Sequence, residues 1–131
     1  MEKHETARLR VLVVEPGARP RIQEIPDTLA AMQELVGGTI QLLYPFDEPV
    51  ALICNDEGKL LNLPLNRELR DNRGTLYDIV CGTFFLCGTP PDSDLLGSLT
   101  EEQIERFARR FHSPEYFINI GGSLLCLPME P

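Results

Sequence analysis

Between two apolar runs, the segment Leu65-Asn66-Arg67-Glu68-Leu69-Arg70-Asp71-Asn72-Arg73 gathers the side chains of this sequence best suited to grip an anion. The guanidinium forks of Arg67, Arg70 and Arg73, with the amide of Asn66, could collect a carboxylate or phosphate, while Glu68 and Asp71 orient them. Mixed signs fit equally a solvated loop with internal ion pairs. Asn66, Arg67, Arg70 and Arg73 are therefore the predicted partner or ligand surface, carried on a loop or short helix that runs over the exterior.

Other chemistry is weaker. Cys54, Cys81, Cys87 and Cys126 contain no Cys-x-x-Cys pair, and their apolar flanks favour inert burial over nucleophilic catalysis with His112. His4 sits in a charged N-terminal stretch, and His112 falls at a helix end where its cation suits the macrodipole. Asp92-Ser93-Asp94 has the opening spacing of some calcium loops but lacks the later glycine and glutamate. Gly37-Gly38-Thr39 and Gly121-Gly122-Ser123 are too short to cradle phosphate, and no P-loop or dinucleotide fingerprint occurs. These absences predict no catalytic residues, no metal and no cofactor.

The elements that must position these residues are organised around Asp78 to Gly88, whose apolar residues occupy both parities. Ile79, Val80, Cys81, Phe84, Phe85, Leu86 and Cys87 predict one strand buried on both faces. Leu9 to Val14 and Arg21 to Ile25 flank Pro16-Gly17, predicting a hairpin whose second strand lies at a sheet edge. Asp27 or Thr28 caps a helix ending at Gly37. Thr39 to Tyr44 and Val50 to Cys54 read as strands, and Asn55-Asp56-Glu57-Gly58 as a turn into a returning strand, Lys59 to Leu63.

Thr100 with Gln103 matches a capping box, and Leu99 with Ile104 its hydrophobic staple. A second helix carrying Ile104, Phe107 and Phe111 follows, stopped by Ser113-Pro114. Strands predominate and helices do not alternate with them, so the predicted class is α+β, a mostly antiparallel sheet with two main helices packed on it. One domain is expected over 9–115, with a C-terminal tail over 116–131 able to form a hairpin.

Twenty acidic and twelve basic residues give a net charge of -8, which opposes general binding to a nucleic-acid backbone. With 43% hydrophobic residues the 131-residue chain can bury a core, and no apolar run reaches the roughly 18 residues of a membrane span. A charged N-terminus without a secretory core predicts a cytoplasmic protein.

Four stretches carry a resemblance: Asn55 to Leu61, Leu63 to Arg67, Cys81 to Gly88, and Leu99 to Ile104. In this order they resemble an uncharacterised domain-of-unknown-function family encoded by phages and conjugative elements of Gram-positive gut bacteria, over roughly Val11 to Glu115. The resemblance implies a small accessory protein of a mobile element and supplies no catalytic residues. The leading expectation is a non-enzymatic binding module for a protein partner or an unidentified small ligand. The alternatives are an acidic, DNA-mimic-like antagonist of a host defence or restriction protein, and a small cysteine- or carboxylate-dependent enzyme. Oligomeric state is undetermined by the sequence, since edge strands can pair between subunits.

Overall fold

Strand β1 (Arg8–Val14) turns back through Pro16 and Gly17 into β2 (Arg21–Pro26), the predicted edge hairpin. The computed structural model describes residues 7–71 and 73–129, so His4 and Asn72 lie outside the described residues. Helix α1 (Leu29–Val36) follows, with the Thr28 hydroxyl accepting from Ala31 N at 3.1 Å. It ends at Gly37, whose φ of +81° suits a residue without a Cβ. Strands β3 (Ile40–Leu43) and β4 (Val50–Asn55) then pair antiparallel.

The expected strand over Asp78 to Gly88 is two strands in different sheets. Strand β6 (Leu76–Cys81) pairs with β5 (Leu65–Arg70), while β7 (Phe84–Gly88) lies at the centre of a five-stranded antiparallel sheet of order β2-β1-β7-β4-β3. Gly82 makes the break: its φ is +83°, its N–H donates to Pro64 O at 2.7 Å, and an added Cβ would lie 2.7 Å from Leu63 Cδ1. Apolar periodicity carries no information about this reversal of backbone hand.

Both-face burial holds for β7 and its neighbours. Leu12, Val14, Leu52, Phe84 and Leu86 face one side, where helix α2 (Glu101–Arg110) contributes Ile104 and Phe107, with Phe111 just past its end. Val11, Val13, Ala51, Ile53, Phe85 and Cys87 face the other, covered by Met32 and Val36 of α1. Register aligns Leu12, Leu86, Leu52 and Leu43 across four strands, so each layer is a continuous apolar row. Phe46, Phe107, Phe111 and Phe84 make edge-to-face contacts with centroids 4.7 to 6.4 Å apart.

The capping box on α2 is complete: Thr100 Oγ1 accepts from Gln103 N at 3.1 Å, and Gln103 Oε1 accepts from Thr100 N at 2.9 Å. A second departure from expectation is Lys59 to Leu63, which forms successive turns closed by Leu61 N to Glu57 O, Asn62 N to Lys59 O and Leu63 N to Gly58 O. Asn62 takes φ +55°, incompatible with a strand. Strands β8 (Glu115–Ile120) and β9 (Ser123–Pro128) form the predicted C-terminal hairpin. Two helices and nine strands, all pairings antiparallel, make the described residues α+β with strands predominant.

Candidate functional site

The basic segment is no surface loop. Leu65–Arg70 is strand β5, paired with β6 through two register shifts, and Asn66 and Arg67 are both at 0% exposure. Arg67 directs its guanidinium donors into the protein. Nε and Nη2 donate to Phe111 O at 3.3 and 3.1 Å, and Nη2 also donates to Ala18 O at 2.6 Å. Nη1 donates to Asn66 O at 3.3 Å and Oδ1 at 2.8 Å, and the Asn66 amide nitrogen donates to Val14 O and Gly82 O, each at 2.9 Å. Burial lowers the guanidinium pKa, and the Glu115 carboxylate partly restores it. These two residues tie β5 to the β1–β2 turn and to the end of α2. They cannot contact a partner, which corrects half of the predicted surface. Isolated polar types between apolar runs look exposed because side-chain carboxylate or solvent is their usual partner, whereas here backbone carbonyls take that place.

Arg70 and Arg73 do face solvent. Arg70 grips the Glu68 carboxylate at 2.8 Å and donates to Gly74 O at 2.7 Å. Arg73 lies in the turn after β5, where its N–H donates to Asp71 Oδ1. Glu68, Glu115 and Cys126 bring three donor atoms from β5, β8 and β9 within 4.8 Å of one another. Arg70 already neutralises Glu68, and Glu115 accepts from Glu68 N at 3.0 Å, so the group serves first to fasten the hairpin to β5. Burial, then the Glu68 charge, raises the Glu115 pKa against that hydrogen bond.

None of the cysteines is set up as a nucleophile. Cys54, Cys81 and Cys87 are buried, Cys126 is half-buried, and burial raises every one of their pKa values. Cys54 is pushed up to about 11 by burial and then by the Asp78 and Asp56 carboxylates, and Cys87 to about 12 chiefly by burial. His112 is exposed beyond the end of α2. Cys54 and Cys81 instead line a cleft of about 110 Å³ between β3, β4, β6 and the turn after Asn55, together with Leu43, Asp56, Lys59 and Asp78. Gly58 lets that turn close down, since a Cβ there would sit 2.8 Å from Cys81 O.

Residues 9–112 match the model of a family described as a domain of unknown function, DUF3846. The chain belongs to the DUF3846 family. No curated protein and no solved structure matches it. The DUF3846 segment takes in the sheet, both helices, the β5–β6 ribbon and the cleft, and it ends before β8.

The hairpin beyond the DUF3846 segment has two unlike faces. Phe117 and Cys126, directly opposed, are half-buried against the domain, while the outward face carries the pairs Tyr116–Leu127 and Ile118–Leu125 with Ile120. All five of those side chains are exposed, Ile120 most at 58%. No charged residue occurs among the outward positions 116, 118, 120, 123, 125 and 127. The alternation Tyr116, Ile118, Ile120 is the signal that could have revealed this face, because strand side chains repeat every two residues. Among the described residues no helix is long and apolar enough to cross a membrane.

Proposed function

We propose that this chain is a non-enzymatic interaction module that holds a protein partner against the outward face of its β8–β9 hairpin. The observation that carries the reading is the uncharged row Tyr116, Ile118, Ile120, Leu125 and Leu127, exposed on a two-stranded element. Such a hairpin is marginal in water by itself, and contiguous apolar surface on a folded protein marks a contact site. Arg70 and Arg73 are the members of the predicted surface left available to a partner, Arg70 on the strand that meets β8. Buried thiols with raised pKa values support a binding role over catalysis.

Surface acids are interleaved with cations in pairs such as Arg8–Glu24, Arg106–Glu48 and Arg109–Glu105, which weighs against an unbroken DNA-like acidic band. The mobile-element setting belongs to this proposal and is supported by the motif resemblance alone.

The test is affinity capture with matched baits, wild type and Ile118→Asp/Leu125→Asp, after nuclease treatment and with circular dichroism confirming the fold of both. A specific protein retained by the first and lost by the second is the expected result. Identical recovery on both baits overturns the proposal. Sedimentation of the same pair identifies a second copy of this chain as the partner if the wild type dimerises and the variant does not.

A further inference from the structure

The cleft behind the turn after Asn55 lies on the DUF3846 segment, away from the hairpin, and its lining selects a ligand by size and charge. At about 110 Å³ it is smaller than the roughly 150 Å³ cavity that accommodates benzene in an engineered protein core. A space of that size suits one short chain or head group. Its lining includes three carboxylates, Asp56, Glu57 and Asp78, and one cation, Lys59. The rest of the lining sets the apolar side chains of Leu43 and Ile79 and the two thiols beside the amides of Gln41 and Asn55.

From this juxtaposition we propose that the cleft binds a short alkylammonium group, carboxylate-bound at its head and packed along its stem by the apolar side chains. The protein already displays the contact. Lys59 Nζ lies 2.5 Å from Asp78 Oδ1, so this carboxylate accepts an ammonium in place, and the lysine side chain is 65% exposed and can swing outward. Lys59 is thus an internal competitor for the position. Burial, Asp78 and Asp56 raise the Cys54 thiol pKa and Lys59 lowers it, as expected of charges that share one cleft with the thiol. The chemistry favours an organic cation over a metal ion: among the described residues, the only three His, Cys, Asp or Glu donors drawn together within 4.8 Å lie elsewhere, at Glu68, Glu115 and Cys126.

The experiment titrates the full chain with n-butylammonium and with a capped Gly-Lys-Gly peptide, following backbone amide shifts of Asp56, Lys59 and Ile79 by NMR. Butanol and the matching norleucine peptide are the uncharged controls. Saturable shifts with the two ammonium probes and none with the controls are expected. Asp78→Asn weakens binding by about tenfold or more, the scale of losing a charged hydrogen-bond partner. Lys59→Gln, which removes the competitor, tightens it by about two- to fivefold, the range set by a surface ion pair.

That gain in affinity is a result a merely structural role for the pair would not produce, and it does not depend on how Asp78→Asn folds. Tighter binding of the peptide than of butylammonium assigns the group to a lysine side chain of another protein, and the reverse to a free amine. Absence of saturation in both wild type and Lys59→Gln, or equal shifts with butanol, overturns the proposal. The Ile118→Asp/Leu125→Asp variant retains these titrations, so failure of the hairpin reading and failure of this one are separable.

Discussion

Replacing Arg67 by lysine keeps the charge and most of the volume, yet should destabilise the protein by roughly 1–3 kcal/mol. The arginine makes five donor contacts to four acceptor atoms, Ala18 O, Phe111 O, Asn66 O and Asn66 Oδ1. A lysine ammonium has three N–H groups on one atom, so at least one of those four buried acceptors is left without its partner, and an unsatisfied buried polar group costs about 1–3 kcal/mol. Against a total stability of about 5–15 kcal/mol for a domain, that loss is large.

Urea unfolding at 25 °C, followed by far-UV circular dichroism, reads it as a lower midpoint at unchanged slope. Arg70→Ala, which removes an exposed side chain, is the matched control and should leave the midpoint close to wild type. An Arg67→Lys protein within about 0.5 kcal/mol of wild type, the ordinary range of a surface substitution, would refute the account of Arg67 as a saturated internal strut.

Three further outcomes follow from the fold. Phe84→Ala should cost about 3–5 kcal/mol in the same assay, because Phe84 is fully buried and stacks edge-on to Phe111; a neutral effect would remove β7 from the core. Gly82→Ala should cost about 1–3 kcal/mol from its backbone conformation alone, with the Leu63 overlap adding to this, and thermal melting would show it. Stability should fall as pH rises above about 9, since unfolded thiols lose their protons there while folded Cys54 holds its proton to about 11 and Cys87 to about 12. Urea midpoints taken from pH 8 to 11 check this, and a shallower profile in a Cys54→Ala/Cys87→Ala protein, which keeps the raised Cys81 and Cys126 thiols, identifies these two as contributors.

Local signals proved readable where local physics decides. Thr100 and Gln103 stand three residues apart and cap α2 without help from the rest of the chain. The double-parity apolar run located β7 because a strand covered on both faces has no solvated side. Asn66 and Arg67 were misplaced for the opposite reason: the acceptors that let them be buried, Val14, Ala18, Gly82 and Phe111, stand 16 to 52 residues away, and nothing near β5 announces them. Gly82 was visible as a glycine, but its hand depends on the meeting with Leu63 and Pro64. The cleft joins residues of β3, β4, β6 and one turn, so only the assembled topology puts Lys59 on Asp78.

Sheet order also sets a timetable for synthesis. Strands β1 and β2, and likewise β3 and β4, can pair as soon as they are made, but the strand that joins the two pairs, β7, ends at Gly88, 33 residues after β4 ends at Asn55. At about 5–20 residues per second that interval is roughly 2–7 s, during which the facing edges of β1 and β4 carry Leu12 to Val14 and Val50 to Ile53 with no strand between them. Each edge is a template for an intruding chain until β7 arrives. The nascent protein is therefore most exposed to misassociation on the ribosome, in a window defined by the position of its own central strand.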